Sequence, residues 1–239
     1  MRNITMIVFV NKLDREGRDA FDIMDEVEQK LGLHVTPMSF PIGMGAEFRG
    51  IYNIWGKNVK LFSGASKQKI GESVEIDDIS SGRLEELIGG RHASKLREDL
   101  ELATGIYPEF SLEKYLAGEQ QPVFFGSALN NFGVSELLDT FVEIAPSPRP
   151  KTSDVRQVEP DEEKFTGFVF KIPANMDPKH RDRLAFVKIV SGTFRRNVNY
   201  LHVRQGKQFK FASPNAFFAE KKQVVDESFP GDIVGLHDT

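Results

Sequence analysis

A strand-length apolar run near the start of the chain limits the folds open to it. Ile4-Thr5-Met6-Ile7-Val8-Phe9-Val10 breaks abruptly into Asn11-Lys12-Leu13-Asp14. A near-continuous run rich in β-branched residues suits a strand buried on both faces, as in the parallel sheet of an α/β fold. A helical pattern follows, with Phe21, Met24, Val27 and Leu31 near one face and Gly32 as its stop. A second buried run, Pro122-Val123-Phe124-Phe125-Gly126, enters Ser127-Ala128-Leu129 in the same way. Behind it, Val134, Leu137, Leu138, Phe141, Val142 and Ala145 mark an amphipathic helix.

Between these two strand–loop–helix units the pattern is less regular. Residues 36–48 read as strand and loop, and Ile51 to Phe62 as a hairpin about Gly56-Lys57-Asn58. Tyr52, Trp55 and Phe62 are expected in the core of an inserted subdomain spanning about residues 36–118. Ser63 to Gly82 is polar and reads as a loop-rich segment. Ala93, Leu96, Leu100 and Ala103 recur at helical spacing, and Leu112, Tyr115 and Leu116 mark a shorter helix. Three prolines within Pro146-Ser147-Pro148-Arg149-Pro150 cannot continue a helix, and the acidic stretch to Glu163 extends a linker over 147–163. From 164 to 239, short strand-like runs separated by Gly, Asn and Asp predict a β-barrel or sandwich that stops in mid-course. The expected parts are therefore 1–146, a linker, and 164–239.

Asn-Lys-x-Asp at the end of a buried strand has a chemical rationale. Guanine presents two adjacent donors, N1–H and the 2-amino group, and the Asp14 carboxylate can accept both. Adenine lacks the 2-amino group and its N1 is an acceptor, so it would leave that carboxylate poorly paired. Lys12 can lay its aliphatic stem across the base. Asn11 can brace the loop and reach N7. Ligands of open α/β sheets bind beyond the carboxyl ends of the strands, where these residues stand. Ser127-Ala128-Leu129 would complete the site. Small Ala128 lets its backbone N–H approach the base O6, and Ser127 can brace the loop. Asn and Asp are also common in plain strand-to-helix turns, so the motif alone leaves that reading open.

Taken together, Asn11-Lys12-Leu13-Asp14 and Ser127-Ala128-Leu129 resemble the fourth and fifth motifs of translational GTPases, and the long stretch between them resembles the inserted subdomain of elongation factor G and its relatives. Residues 124–134, the run Lys164-Phe165-Thr166-Gly167-Phe168-Val169-Phe170-Lys171-Ile172 with its continuation to Arg183, and residues 230–237 resemble the bacterial peptide chain release factor 3 group. The resemblance implies the C-terminal part of a P-loop GTPase-type α/β domain followed by a translation-factor β-barrel. It implies binding of GTP and GDP, action on the bacterial ribosome, GTP-dependent removal of class I release factors, and a cytoplasmic location. The alternatives are an elongation factor G-like translocase or ribosomal protection protein, and a non-catalytic ribosome-binding fragment.

One departure from the resemblance is large. The chain contains no G-x-x-x-x-G-K-[ST], switch threonine or Asp-x-x-Gly ahead of Asn11. Those groups cradle phosphates, hold Mg²⁺ and place the attacking water. The expectation is a fragment with no catalytic residue, which would need a preceding segment to bind Mg²⁺ and hydrolyse GTP. It would end inside the barrel. Pro173 stands where the resemblance leads one to expect Gln.

Composition sets further bounds. No cysteine is present, which excludes disulfides and thiolate metal sites, and five scattered histidines show no metal-ligand spacing. No apolar run nears the roughly 18–20 residues of a membrane span, and residues 1–5 lack a signal core. A net charge of −4 over 239 residues argues against a free-standing nucleic-acid binder of the basic type, DNA included, and leaves open docking on RNA through a local basic patch. A local basic patch, Lys179, His180, Arg181 and Arg183 with Arg195 and Arg196, offers a ribosome contact or a solvated loop. The acid pairs Asp77-Asp78 and Glu85-Glu86 read as solvated surface.

Overall fold

The computed structural model describes residues 5–62, 73–76, 78–173, 184–218 and 221–237. The chain divides into two units, Met1–Pro146 and Ser147–Thr239.

In the first unit β1 (Val8–Val10) leads to α1 (Ala20–Leu31), β2 (Val35–Pro37), β3 (Ser39–Ile42), β4 (Gly50–Asn53), β5 (Asn58–Leu61) and β6 (Ser73–Glu75). Then come α2 (Gly82–Ile88), α3 (Gly90–Ile106), α4 (Leu112–Leu116), β7 (Gln121–Phe125) and α5 (Val134–Ile144). β7 is central and wholly buried, with β1 and β2 parallel on either side in the register Val10↔Phe125 and Pro37↔Val123. The α/β reading with a parallel sheet holds. The strand expected over 4–10 is shorter, however, and β1 is only half-buried. It lies at an edge of the described sheet, so one flank lacks the neighbour that a doubly covered strand has.

The inserted segment forms an antiparallel sheet in the order β3-β4-β5-β6. The expected hairpin is present, with Asn53↔Asn58 closing it and the Asn53 side chain accepting from the Gly56 N–H at 2.9 Å. Two features escaped the sequence reading. β6 falls inside the segment expected to be loop, and α2 precedes the predicted α3 with Leu84 and Ile88 buried. Tyr52 is buried and Phe62 is half-buried, but Trp55 is about half exposed. Its indole donates to Glu143 Oε2 at 3.2 Å and its ring meets Phe110 edge-on.

Local chemistry accounts for α1. Asp19 accepts from the Phe21 N–H at 2.9 Å as an N-cap, and the Gly32 N–H closes on the Glu28 carbonyl. Met24 is buried, Phe21 and Val27 pack on the core, and Leu31 lies off that face. α5 departs from expectation more sharply. Its buried line is Glu136, Thr140 and Ile144, while Leu138, Phe141 and Val142 are 52%, 47% and 80% exposed. Residues four apart share a helix face, and this face is fixed inward because Glu136 is bound by Lys60 of β5. Half of the predicted apolar stripe therefore points outward, while Val134, Leu137 and Ala145 stay half-buried.

The second unit is β-rich. A two-stranded pairing of β8 (Lys151–Thr152) with β9 (Gln157–Val158) occupies part of the expected linker, with Val158 buried and Arg156 bidentate on Glu162 at 2.6 and 2.7 Å. β10 (Thr166–Lys171), β11 (Leu184–Ser191), β12 (Phe194–Arg195), β13 (Asn199–His202), β14 (Lys207–Lys210), β15 (Asn215–Phe218), β16 (Lys221–Val224), β17 (Glu227–Ser228) and β18 (Ile233–His237) follow. Their main sheet is antiparallel in the order β10-β11-β18-β15-β16. Val187, Ile189, Phe194, Val234 and Leu236 make its core.

Candidate functional site

The parallel pairing of β1 with β7 brings the two predicted loops together. Both strands point the same way in register, so residues 11–14 and 126–129 leave the sheet at the same edge. Main-chain bonds lock the exits. The Gly126 N–H donates to the Val10 carbonyl at 3.0 Å, and the Leu13 N–H donates to the Gly126 carbonyl at 3.1 Å. Gly126 admits no side chain, because a Cβ there would meet the Phe132 carbonyl oxygen at 2.3 Å and the Phe9 ring at 2.8 Å.

Polar side chains then tie one loop to the other. Asn11 Oδ1 accepts from its neighbour's Lys12 N–H at 2.8 Å and from the Ala128 N–H at 2.9 Å. Ser127 Oγ–H donates to Asp14 Oδ1 at 2.5 Å, and Asn130 Nδ2 donates to Ser127 Oγ at 2.8 Å. Lys12 stands in the left-handed region at φ 71°, which a residue with a Cβ seldom occupies. Its N–H bond to Asn11 helps to hold that turn. Ser127 is buried, Asp14 is half-buried, and Asn11, Lys12 and Ala128 are exposed. The acceptor oxygens of the pair are thus fixed from below and open from above.

This arrangement offers a carboxylate whose rotamer is set by one oxygen, with its Oδ2 taking no hydrogen bond among the described residues. A carboxylate oxygen accepts about two bonds, so the group retains capacity for paired donors. The Ala128 N–H, expected to face a base carbonyl, is held by Asn11 Oδ1 and would have to be shared or released for that purpose. Leu129 is 83% exposed on the outer side of the loop.

Four residues of the candidate ribosome contact, Lys179, His180, Arg181 and Arg183, lie outside the described residues. Arg195 and Arg196 are in ion pairs with Glu227 and Asp226. Of the acid pairs, Asp78 accepts from Ser80, and Glu85 accepts twice from Arg97 at 2.6 and 3.1 Å. The Arg97 hydrogen bonds draw the Glu85 carboxyl below its usual range. Both acids are engaged locally; Asp77 lies outside the described residues. Among the described residues no group of three metal-ligating side chains occurs, and no helix is long and apolar enough to cross a membrane.

Sequence spacing did not single out Gly126, Asn130 or Phe132. Phe132 exchanges two main-chain bonds with Ser127, N–H to carbonyl at 2.9 and 3.0 Å, closing the loop that carries Ala128. Beside the resemblance over residues 124–134, the local signal is Asn130-Asn131, a pair suited to a turn; Asn131 takes φ 52° there.

Residues 1–147 match the family described as the Elongation factor Tu GTP binding domain, and residues 164–239 match Elongation factor G domain 2. Among solved structures, a protein from Thermus thermophilus superposes with a TM-score of 0.65 at 18% identity, covering 98% of this chain and 34% of that one. This is a likeness of fold, and the chain spans about a third of that protein's length.

Proposed function

We propose that this chain, which belongs to the translational GTPase family, carries the guanine-selecting part of a ribosome-associated GTPase acting in translation termination. The observation that supports guanine reading is the cross-loop pairing of Asp14 with Ser127 and of Asn11 with Ala128. In this reading Asp14 accepts N1–H and the 2-amino group, Lys12 covers one face of the base, and Asn11 and Ala128 face N7 and O6. Ser127 and Leu129 shape the second loop. GTP and GDP are the nucleotides proposed. Phosphate binding, Mg²⁺ and hydrolysis call for the G-x-x-x-x-G-K-[ST] type of loop, which this sequence does not contain.

Amide shifts test base reading directly. Guanosine monophosphate should perturb residues 11–14 and 127–130 in the isolated chain, and adenosine monophosphate should leave them in place. Equal perturbation by both, or none by either, would overturn the assignment.

The termination step, with class I release factors as the clients and the bacterial ribosome in the cytoplasm as the platform, rests on the sequence likeness over residues 164–183. A second reading, a ribosomal translocase, draws on the match of residues 164–239 to Elongation factor G domain 2. A longer protein carrying this chain behind a phosphate-binding loop separates them. GTP-dependent dissociation of a class I release factor from terminated ribosomes supports the first, and accelerated movement along messenger RNA supports the second. Charge reversal at Lys179 and Arg181 in that protein should weaken ribosome binding if the basic loop docks there.

A further inference from the structure

The two base-reading loops are not held only by each other. The turn from Gly43 to Phe48, in the inserted segment between β3 and β4, touches both. On one side the Gly45 N–H donates to the Leu13 carbonyl at 2.9 Å, and the Ala46 N–H donates to Glu16 Oε1 at 3.3 Å. On the other side the Phe48 ring meets Phe132 edge-on at 5.5 Å, with Phe62 against the same ring at 5.3 Å. Phe132 is 5% exposed. Its main chain is bonded twice to Ser127, so the ring anchors the loop that presents Ala128.

The turn itself is tight. Phe48 N–H bonds the Gly45 carbonyl at 3.2 Å, and Arg49 N–H closes its base on Ile42 at 2.8 Å. Gly45 has φ +59°, and a Cβ there would lie 2.0 Å from Glu16 Oε1. A short, internally bonded turn that contacts both loops acts as a spacer between them.

We propose that the Gly43–Phe48 turn is the positioning element that sets the separation of the two loops and thereby guanine selection, through Leu13 on one side and Phe132 on the other. This rests on the guanine reading proposed above. The chemistry needs Asp14 from the first loop and the Ala128 N–H from the second at one base, and a displacement of about 1 Å is enough to spoil such paired contacts.

Hydrogen exchange on the nucleotide-free chain tests the spacer independently of guanine binding. In Phe48→Leu the Ser127 and Phe132 amides should exchange at least about fivefold faster. The Gly126 and Met38 amides, bonded to Val10 and Val123 on the sheet, should stay within about twofold of the parent. Equal acceleration at all four sites would mean a plain loss of stability and overturn the proposal, as would no acceleration at Ser127 and Phe132. Phe48→Met, a milder change at the same turn residue, gives the same test if Phe48→Leu fails to fold. In a second arm, the preference for guanosine over inosine monophosphate should fall at least about threefold in the variant. A parental preference would overturn the proposal. A parent chain that shows no guanine preference would instead count against guanine reading, and the exchange result alone would then decide the spacer.

Discussion

Lys60→Met should be among the most damaging single changes to the first unit that leave side-chain volume nearly intact. Lys60 Nζ bonds Glu136 and also Ser135 Oγ at 2.7 Å, with the two charged side chains only 8% and 9% exposed. Exposed ion pairs contribute little because water screens them, but that discount does not apply at this depth. Removing the ammonium leaves Glu136 buried with only Ser135 Oγ–H as a neutral donor, at 3.2 Å. Stranding a buried charge in this way costs about 3–5 kcal/mol. At an m-value of about 2 kcal/mol/M, the urea midpoint should fall by about 1.5–2.5 M. The lone tryptophan, Trp55, sits at the turn joining β4 and β5 and reports unfolding of this unit by fluorescence. The double variant Lys60→Met/Glu136→Leu should recover most of the loss, since replacing both members of a buried pair by apolar residues is about neutral or stabilising. A single-variant cost below about 1 kcal/mol, or a double variant no better than the single, would refute this reasoning.

Gly126→Ala places a methyl group 2.3 Å from the Phe132 carbonyl oxygen, and should cost at least about 1–3 kcal/mol in urea unfolding because a main-chain atom has little room to yield. Asp14→Asn retains an acceptor oxygen for the Ser127 hydroxyl, so stability should stay within about 1 kcal/mol while base preference moves from guanosine toward xanthosine monophosphate. Undisturbed guanosine preference would remove Asp14 from the base-reading role. The Arg156 side chain, with the Glu159 N–H, holds the Glu162 carboxyl at about 2, below its ordinary 4.5. A depressed carboxylate stabilises the fold above its unfolded pKa, and that contribution is lost as pH falls from 4.5 toward about 2. Carboxyl NMR titration should show this low midpoint, and Arg156→Ala should raise it toward the ordinary 4.5, with the Glu159 N–H still holding it somewhat below.

The loop placement of both motifs was legible in the sequence, because each stands where a strand ends and such junctions are encoded by neighbouring residues. Asn11, Asp14 and Ser127 could be placed on loops from periodicity alone. Their cross-loop bonds followed once β1 and β7 proved to be parallel neighbours. What sequence withheld was long-range. Phe132 reads as one more loop aromatic until Phe48 and Phe62 close on it. β6 is short and polar on its flanks, and only pairing with β5 makes it a strand. Lys60 and Glu136 look like solvated charges, being the wrong residue types for a buried face; each is tolerated there only because of the other.

α5 makes the same point with a testable edge. Its amphipathic pattern is unmistakable in the sequence, yet Leu138, Phe141 and Val142 face outward and Glu136, Thr140 and Ile144 face in. Two forces compete over the helix's rotation about its axis. Burying three large apolar side chains would contribute about 1.5–3 kcal/mol each. Turning Glu136 away from Lys60 would strand an ammonium at a buried position, at a cost of about 3–5 kcal/mol, and would lose the packing of Ile144 as well. The gain counts only for surface that rotation would newly bury, and Leu138 and Phe141 are already about half covered at 52% and 47% exposed, so it falls well below the full-burial figure and the ion pair prevails. Val142→Lys should therefore change the stability of this chain by no more than about 0.5 kcal/mol, as exposed substitutions do, while Leu138→Gln and Phe141→Gln, at half-covered positions, should each cost about 1 kcal/mol. Combined with Lys60→Met/Glu136→Leu, which frees the helix from its charged anchor, the polar stripe should cost the same as in the parent only if the rotation is unchanged. Should the stripe substitutions each cost more than about 2 kcal/mol in the parent chain, Leu138 and Phe141 are packed in solution and the ion pair does not set the orientation of α5.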